Sequence, residues 1–377
     1  MKKISFFILS FLFCQILLGQ KNRLHEKISP YFYPPDSLRN DFGSFRSPLL
    51  FSNGKQVKSA KEWKERKAEI KRDWEGYLGA WPDLYTEQKF EYIDTVYEDT
   101  YTQYSVRFKW TPNEWTKGYL LVPKNKVGKM PAVISVFYDA ESSIGIGSKS
   151  RPWRPWRDFA KQLANRGFVT LAIGTKEASE RNEFSLYYPS IDSVSVQPLS
   201  MLAYAANNAY YVLANCKNVD KKRIGIVGHS FGGKWAMFGS CLTDNFAAAA
   251  WSDPGIVMQE GRESINYWEP WYLGFHRKPW RKRGLITDQN PAYGVYNQLR
   301  KDDRNLHELH ALMAPRPFLV SGGAEDPVTQ WRALNHSVEV NKLLGQKERV
   351  AMTNRPTHSL TEDATEAIYT FFEYFLK

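Results

Sequence analysis

The stretch that decides the fold is Arg223-Ile-Gly-Ile-Val-Gly-His-Ser-Phe-Gly-Gly-Lys234. Its apolar start predicts a buried strand, and a helix-like segment follows from Lys234 to Leu242. Between them, Gly228 and Gly232 flank Ser230 in a G-x-S-x-G pattern, where glycines let strand and helix approach without Cβ clashes. The pattern alone also fits a turn with an idle serine, but its strand-to-helix context makes Ser230 the candidate nucleophile.

Strand and helix patterns alternate along most of the chain. They predict an α/β fold with a mostly parallel, eight-stranded type of sheet and helices on both faces, preceded by three antiparallel strands. The predicted strands around the central one are Phe90–Val96, Tyr104–Trp110, Gly118–Val122, Pro131–Tyr138, Phe168–Ile173, Phe246–Trp251, Pro317–Val320 and Glu348–Met352. The predicted helices are Ala60–Leu78, Trp156–Arg166, Leu199–Cys216, Arg304–Met313, Gln330–Leu344 and Glu362–Leu376.

The first 20 residues have the composition of a cleavable export signal. A basic start, Lys2–Lys3, precedes the apolar run Ile4–Leu18, which is too short to span a bilayer. Cys14 would suit a lipoprotein, but the apolar run continues past it. We therefore expect cleavage near residues 19–20 and a periplasmic or secreted protein, and no later run is apolar enough for a membrane span.

The remaining chain is predicted to have two parts. Residues 21–88 form an N-terminal extension packed on the core, and residues 89–377 form the catalytic domain. Residues 253–316 are too long for a plain connection and are predicted to be a lid insertion. Cys216 and Cys241 leave two alternatives open, a disulfide or two buried thiols.

The composition favours some classes of binding partner and argues against others. A net charge of +11 suits an anionic partner, and 15% aromatic residues suit sugar rings, although a soluble surface and a large core explain both equally well. Nucleic acid is not expected, because no block of five basic residues and no nucleic-acid-binding motif occurs. No metal motif or clustered Cys/His site occurs, so no cofactor is expected.

The candidate base is His358. It lies in the loop Asn354-Arg-Pro-Thr-His358 between the last strand and the closing helix, at the carboxyl edge of the sheet where ligands bind. His307 and His310 lie on a predicted helix, which better suits packing, and His336 lies inside another. A neutral imidazole at position 358 would accept the Ser230 proton and return it to a leaving alcohol.

Three acids could orient this histidine. Asp326 is favoured, because it follows the strand Pro317–Val320 through a glycine-rich exit at the usual position of the acid. Asp253, just after the preceding strand, is the alternative, and it would also suit a turn before Pro254. Glu325 is the third candidate.

Backbone and rim residues complete the predicted site. The N–H of Phe231 and that of Tyr138 or Asp139 are the expected oxyanion donors. The Asp139 side chain must then turn away or bind substrate hydroxyls, since a carboxylate repels an oxyanion. Two segments, 148–156 and 266–283, are expected at the rim of the site. Their aromatic and basic residues suit a sugar polymer with carboxylate or ester groups, although the same tryptophans would also pack a lid onto the body of the protein. The candidate substrate contacts there are Trp153, Trp268 and Trp271.

The chain resembles secreted carbohydrate esterases of the α/β-hydrolase superfamily, above all glucuronoyl esterases and acetyl-xylan-esterase-like proteins. The resemblance covers about residues 45–377 and rests on Gly79-Ala-Trp-Pro82, Gly228-His-Ser-Phe-Gly-Gly-Lys234, Met313-Ala-Pro-Arg-Pro-Phe-Leu-Val320 and the segment from 54 to 70. It implies that Lys234 contacts sugar. Glucuronoyl esterases carry an arginine after the serine that assists the oxyanion, where this chain has Phe231. Dienelactone hydrolases share the fold but use cysteine as nucleophile.

These observations together predict a serine esterase that removes acetyl or uronoyl/methyl ester groups from a polysaccharide or oligosaccharide. One alternative is a serine peptidase of the prolyl-oligopeptidase type, but fewer than 90 residues precede the sheet, too few for a gating domain. The other alternative is a glycan-binding protein with idle chemistry on a hydrolase fold.

Overall fold

The computed structural model describes residues 19–148, 152–175 and 184–377. All but the last two residues of the predicted export signal therefore lie outside the described residues. Within the described ranges, no helix combines the length and the apolar character needed to cross a membrane.

The strands and helices of the described residues follow the predicted alternation. The strands are β1 (Glu91–Tyr97), β2 (Tyr101–Thr111), β3 (Glu114–Pro123), β4 (Met130–Phe137), β5 (Val169–Gly174), β6 (Tyr188–Ser190), β7 (Ser193–Val196), β8 (Val219–His229), β9 (Ala248–Ser252), β10 (Phe318–Gly322) and β11 (Val350–Asn354). Residues 19–28 are helical, and the α-helices after them are α1 (Ala60–Leu78), α2 (Phe159–Asn165), α3 (Pro198–Ala214), α4 (Phe231–Cys241), α5 (Gly294–Lys301), α6 (His307–Ala311), α7 (Trp331–Leu343) and α8 (Glu362–Leu376).

Nine strands form the main sheet in the order β1-β2-β3-β5-β4-β8-β9-β10-β11. The pairs β1–β2, β2–β3 and β3–β5 are antiparallel, as predicted for the first strands. All pairs from β5 to β11 are parallel, so the predicted α/β fold is confirmed. Strand β8, which ends at His229 directly before the candidate nucleophile Ser230, therefore lies between β4 and β9, near the middle of the sheet.

Three elements differ from the sequence-based prediction. The nine strands of the main sheet correspond to the nine predicted, but a separate hairpin, β6–β7, was not predicted because its strands are only three and four residues long. The lid insertion contains α5, which was also missed. The helix predicted over Arg304–Met313 is reduced to the five residues of α6.

Helices cover both faces of the sheet, and the strand residues alternate between them. On β8, Ile226 packs into the core shared with α3 and α4, whereas Val227 packs into the core beneath α2 and α8. Ile134 and Val133 on β4 divide in the same way. Both faces are buried, which explains why the central strands read as continuous apolar runs rather than alternating ones.

The N-terminal segment contacts the core through α1. The Ser59 hydroxyl caps this helix by accepting the Glu62 N–H at 3.2 Å, a role for which serine is well suited. Trp63, Ile70 and Trp74 are buried on the inner face. The Trp74 indole N–H also donates to the buried carboxylate of Glu308 at 3.0 Å, which joins α1 to α6.

Two buried histidines hold the segment before α1 against α6 and α7. His307 Nε2 is 2.7 Å from the Arg46 carbonyl oxygen, and His336 Nε2 is 3.1 Å from that of Phe42. Their rings lie 5.0 Å apart. Burial lowers the pKa of both His307 and His336 to about 4, so both imidazoles are neutral donors near neutral pH.

This histidine pair predicts a pH-dependent stability. An unfolded histidine has a pKa near 6.5, so the unfolded chain binds more protons than the folded chain between about pH 6.5 and 4. The stabilisation is therefore complete above pH 6.5 and is lost as pH falls, by about 2 kcal/mol per histidine at pH 4.5. Urea unfolding should show that the free energy of unfolding of the His307→Gln/His336→Gln variant falls less steeply with decreasing pH than that of the parent. The control is His276→Gln. Equal slopes for parent and variant would contradict the prediction.

Candidate active site

Ser230 lies on a strained turn between β8 and α4. Its backbone has φ 58° and ψ −117°, a conformation that costs free energy and is held by the surrounding structure. The Ser230 N–H donates to the Ser252 carbonyl oxygen at 2.8 Å. A Cβ at Gly232 would lie 2.0 Å from the Val136 oxygen, and one at Gly228 would lie 2.1 Å from the Gly232 oxygen. The two glycines are therefore required by the close packing of the turn.

His358 contacts Ser230 from the loop that follows β11. Its Nε2 lies 2.8 Å from the Ser230 hydroxyl oxygen, and its Nδ1 lies 2.7 Å from Asp253 Oδ2. The imidazole is 38% exposed, whereas the Asp253 carboxylate is fully buried. Ser230, His358 and Asp253 thus form a continuous chain of contacts, with the geometry of a nucleophile, a base and an orienting acid.

The acid favoured from the sequence, Asp326, does not contact His358, and this prediction is corrected. The contacting carboxylate belongs to the alternative, Asp253, which follows β9 with φ 51°. Glu325 does not contact His358 either, since its carboxylate accepts the Ser264 hydroxyl and lies 3.7 Å from Arg262.

The glycine-rich turn after β10 supplies hydrogen-bond donors to Asp253 instead. Asp253 Oδ1 accepts the N–H groups of Gly323 at 2.7 Å, Asp326 at 2.8 Å and Glu325 at 3.1 Å. A Cβ at Gly323 would lie 2.7 Å from Asp253 Oδ2, so only glycine allows this approach. The glycine-rich pattern before Asp326 therefore does indicate a part of the site. It marks the turn that binds the carboxylate of Asp253, rather than the carboxylate that contacts His358.

The Asp326 side chain holds the opposite turn. Its two carboxylate oxygens accept the N–H groups of Gly255 at 2.8 Å and Ile256 at 2.6 Å, just after Asp253. Each aspartate thus binds the backbone of the turn that carries the other. Burial and the nearby charge of Asp253 raise the pKa of Asp326 to about 7.

Arg355 supports the histidine loop and was missed from the sequence. Its buried guanidinium donates to the carbonyl oxygens of Ser321 at 2.8 Å, His358 at 3.0 Å and Ser359 at 2.8 Å. The loop is therefore tied to the end of β10 just where His358 must face Ser230. Burial lowers the pKa of Arg355. Its place three residues before the candidate base was the available signal.

His229 is a second residue that the sequence did not single out. Its ring is buried and lies 4.7 Å from the His358 ring, and its Nδ1 is 3.2 Å from the Ser252 hydroxyl. Burial and the neighbouring His358 hold the pKa of His229 well below its usual value. His229 is therefore neutral and adds no positive charge next to the base.

The two predicted oxyanion donors lie just beyond the ends of two adjacent strands. Tyr138 directly follows β4, Phe231 directly follows Ser230, and β4 pairs with β8. Their rings stack at 4.5 Å with an interplanar angle of 14°. The buried Asp139 side chain turns back to its own chain, where Oδ1 accepts the Ser142 N–H at 2.7 Å, as expected if an oxyanion forms nearby.

Lys234 and Trp268, two of the four predicted substrate contacts, are buried, and this prediction is corrected for both. Lys234 Nζ donates to the carbonyl oxygens of Pro254 and, at 3.0 Å, Ile265, and burial lowers its pKa to about 8. Trp268 donates to the Gly284 oxygen at 2.9 Å inside the lid insertion. Both therefore stabilise the lid insertion rather than face solvent.

The other two candidate substrate contacts, Trp153 and Trp271, remain accessible. Trp153 is 48% exposed. Trp271 is half-buried, with its ring 5.7 Å from Phe184. Both keep the surface that substrate binding requires.

Cys216 and Cys241 do not form the disulfide that the sequence left open. Burial raises the pKa of Cys216 to about 11 and that of Cys241 to about 12, so both thiols are protonated near neutral pH. Among the described residues, no group of three or more His, Cys, Asp or Glu side chains is placed to hold a metal ion.

The reactivity of Ser230 tests whether Asp253, rather than Asp326, orients His358. Asp253→Asn removes the acceptor for the His358 Nδ1–H, and should slow labelling by a fluorophosphonate by roughly 10⁴-fold. Asp326→Asn keeps that contact and disturbs only the turn, so we expect a loss of no more than about 100-fold. The exposed Asp288→Asn is the control. An equal or larger loss in Asp326→Asn would return the role of acid to Asp326.

Residues 116–275 match the profile of the Dienelactone hydrolase family. No curated protein sequence matches significantly.

Several solved structures are similar to the chain. The glucuronoyl esterase from Solibacter usitatus has a TM-score of 0.69 at 16% identity, covering 89% of this chain and 98% of that one. A carbohydrate esterase family 15 glucuronoyl esterase from Caldicellulosiruptor kristjansonii gives 0.61 at 18% identity, covering 91% and 93%. A proposed acetyl xylan esterase from Bacteroides fragilis gives 0.56 at 16% identity, covering 90% and 88%. The chain therefore has the α/β-hydrolase fold, with a central segment of the dienelactone hydrolase type.

Proposed function

We propose that the protein is a secreted serine esterase that removes ester groups, acetyl or uronoyl/methyl, from a polysaccharide or oligosaccharide. The observation that carries the proposal is the contact chain from Ser230 through His358 to Asp253, with distances of 2.8 and 2.7 Å. A strained serine at the carboxyl edge of a parallel sheet, next to an imidazole that a buried carboxylate orients, is built for acyl transfer.

In the proposed reaction, Ser230 Oγ attacks the ester carbonyl carbon while its proton passes to His358 Nε2. Asp253 stabilises the imidazolium through Nδ1–H, and the N–H groups of Phe231 and Tyr138 bind the oxyanion. The alcohol leaves with the proton from His358, and an acyl-enzyme remains. Water then attacks the acyl group with His358 as base, the carboxylic acid is released, and the proton returns to Ser230.

The substrate class is supported by the solved structures and by the rim. Three similar structures are esterases named for glucuronoyl or acetyl xylan substrates. Trp153 and Trp271 offer aromatic surface to a sugar ring, and a net charge of +11 suits a polymer with carboxylate groups. Export is supported by the basic and apolar start of the sequence.

The proposal predicts that Ser230→Ala abolishes ester hydrolysis while the fold is retained. The protein should release acetate from acetylated xylan, or methanol from methyl glucuronate or methyl-esterified pectin, and the released product identifies the ester group. The matched control is Ser193→Ala, a change of an exposed serine on β7 that should leave the rate unaltered. Release of the same product by Ser230→Ala would overturn the proposal. Glycan binding without hydrolysis of any ester would favour an idle binding protein.

A further inference from the structure

Four aromatic side chains form a continuous surface beside Ser230. We call Tyr138, Phe231, Phe184 and Trp271 the aromatic wall. The Phe184 ring lies 5.0 Å from Phe231, 5.2 Å from Tyr138 and 5.7 Å from Trp271. Phe231 is buried beneath the others, whereas Tyr138 and Trp271 are half-buried and Phe184 is 37% exposed. The wall thus has a buried base and an accessible aromatic face.

The sheet places the wall and the base on opposite sides of the nucleophile. Tyr138 follows β4, which pairs with one side of β8. Asp253 and His358 follow β9 and β11, on the other side of β8. The wall therefore flanks Ser230 away from His358.

This arrangement decides which part of an ester meets the wall. The leaving oxygen must face His358 Nε2, because it receives its proton from that atom. The carbonyl oxygen must face the N–H groups of Phe231 and Tyr138. Of the groups on the reacting carbon, the acyl substituent remains, and it is directed away from His358, towards the wall.

The side chains on this side of Ser230 are apolar or already bound. The Phe231 ring stacks on Tyr138. The Lys234 ammonium is bound by two carbonyl oxygens and lies 4.1 Å from the Tyr267 ring centroid. A hydroxyl-rich acyl group would lose hydrogen bonds to water against such a surface, which costs free energy unless each is replaced.

We propose that the acyl group of the substrate packs on the aromatic wall, and that the protein prefers esters with an apolar, planar acyl group of the cinnamoyl class over esters of uronic acids. This inference rests on the proposed serine esterase function, and it names a cinnamoyl group, rather than an acetyl or uronoyl group, as the preferred acyl group. Aromatic acyl groups pack on ring faces in offset or edge-to-face geometry, and Phe184 is 37% exposed beside the half-buried rings of Tyr138 and Trp271.

Three methyl esters with the same leaving alcohol separate the acyl preferences: methyl acetate, methyl ferulate and methyl glucuronate. Methanol release should give a kcat/KM for methyl ferulate at least about tenfold above that for methyl glucuronate. Phe184→Ala should lower kcat/KM for methyl ferulate about tenfold and for methyl acetate less than about threefold, with Phe184→Leu between. The control Tyr97→Ala changes a 77% exposed tyrosine on β1 and should alter none of the rates.

Each other outcome is informative. An equal or higher kcat/KM for methyl glucuronate overturns the inference and leaves the esterase proposal standing, as does activity confined to methyl acetate. A uniform loss on all esters in both Phe184 variants would show that Phe184 supports the site rather than selecting the acyl group, and would also overturn it. Hydrolysis of none of the three esters, nor of 4-nitrophenyl acetate, would overturn the proposed function itself.

Discussion

The reciprocal hydrogen bonding of two buried aspartates fixes the geometry on which the site depends. Asp253 accepts backbone N–H groups of the turn after β10, and Asp326 accepts those of the turn after β9. Neither carboxylate has water to solvate it, so these N–H groups supply the compensation that buried charge requires. The two turns can move only together, and Asp253 is therefore held at one position relative to His358.

The glycine-rich turn after β10 has a different role from the one that its sequence predicts. Glycines after β10 would ordinarily be assigned to a loop that presents an acid to the site. Here Gly323 allows the backbone to approach the carboxylate of the neighbouring turn, and Asp326 is directed inwards. Arg355 adds a third tie, because it links the end of β10 to the carbonyl oxygen of His358. Acid, base and supporting arginine thus belong to one buried polar network.

On the other side of Ser230, packing replaces polar contacts. Phe231 and Tyr138 stack where their backbone N–H groups are expected to meet an oxyanion. Lys234 lies on α4 and donates to the Ile265 carbonyl oxygen, which ties the predicted lid insertion to the helix that follows Ser230. The candidate site therefore combines a polar side, which carries the proton in the proposed reaction, with an aromatic side, to which we assign the acyl group.

The sequence by itself determined most of the elements, and it singled out Ser230 and His358 as the candidate nucleophile and base. The close packing at Gly228 and Gly232, the Ser59 cap of α1 and the apolar strands are local constraints, so they are visible in the order of residues. The choice between Asp253 and Asp326 was decided only by the tertiary structure. Both follow neighbouring parallel strands, and which carboxylate reaches His358 depends on the direction that each turn takes across the sheet edge. The burial of Lys234 was decided in the same way, because its carbonyl partners come from a distant insertion whose path no local pattern specifies.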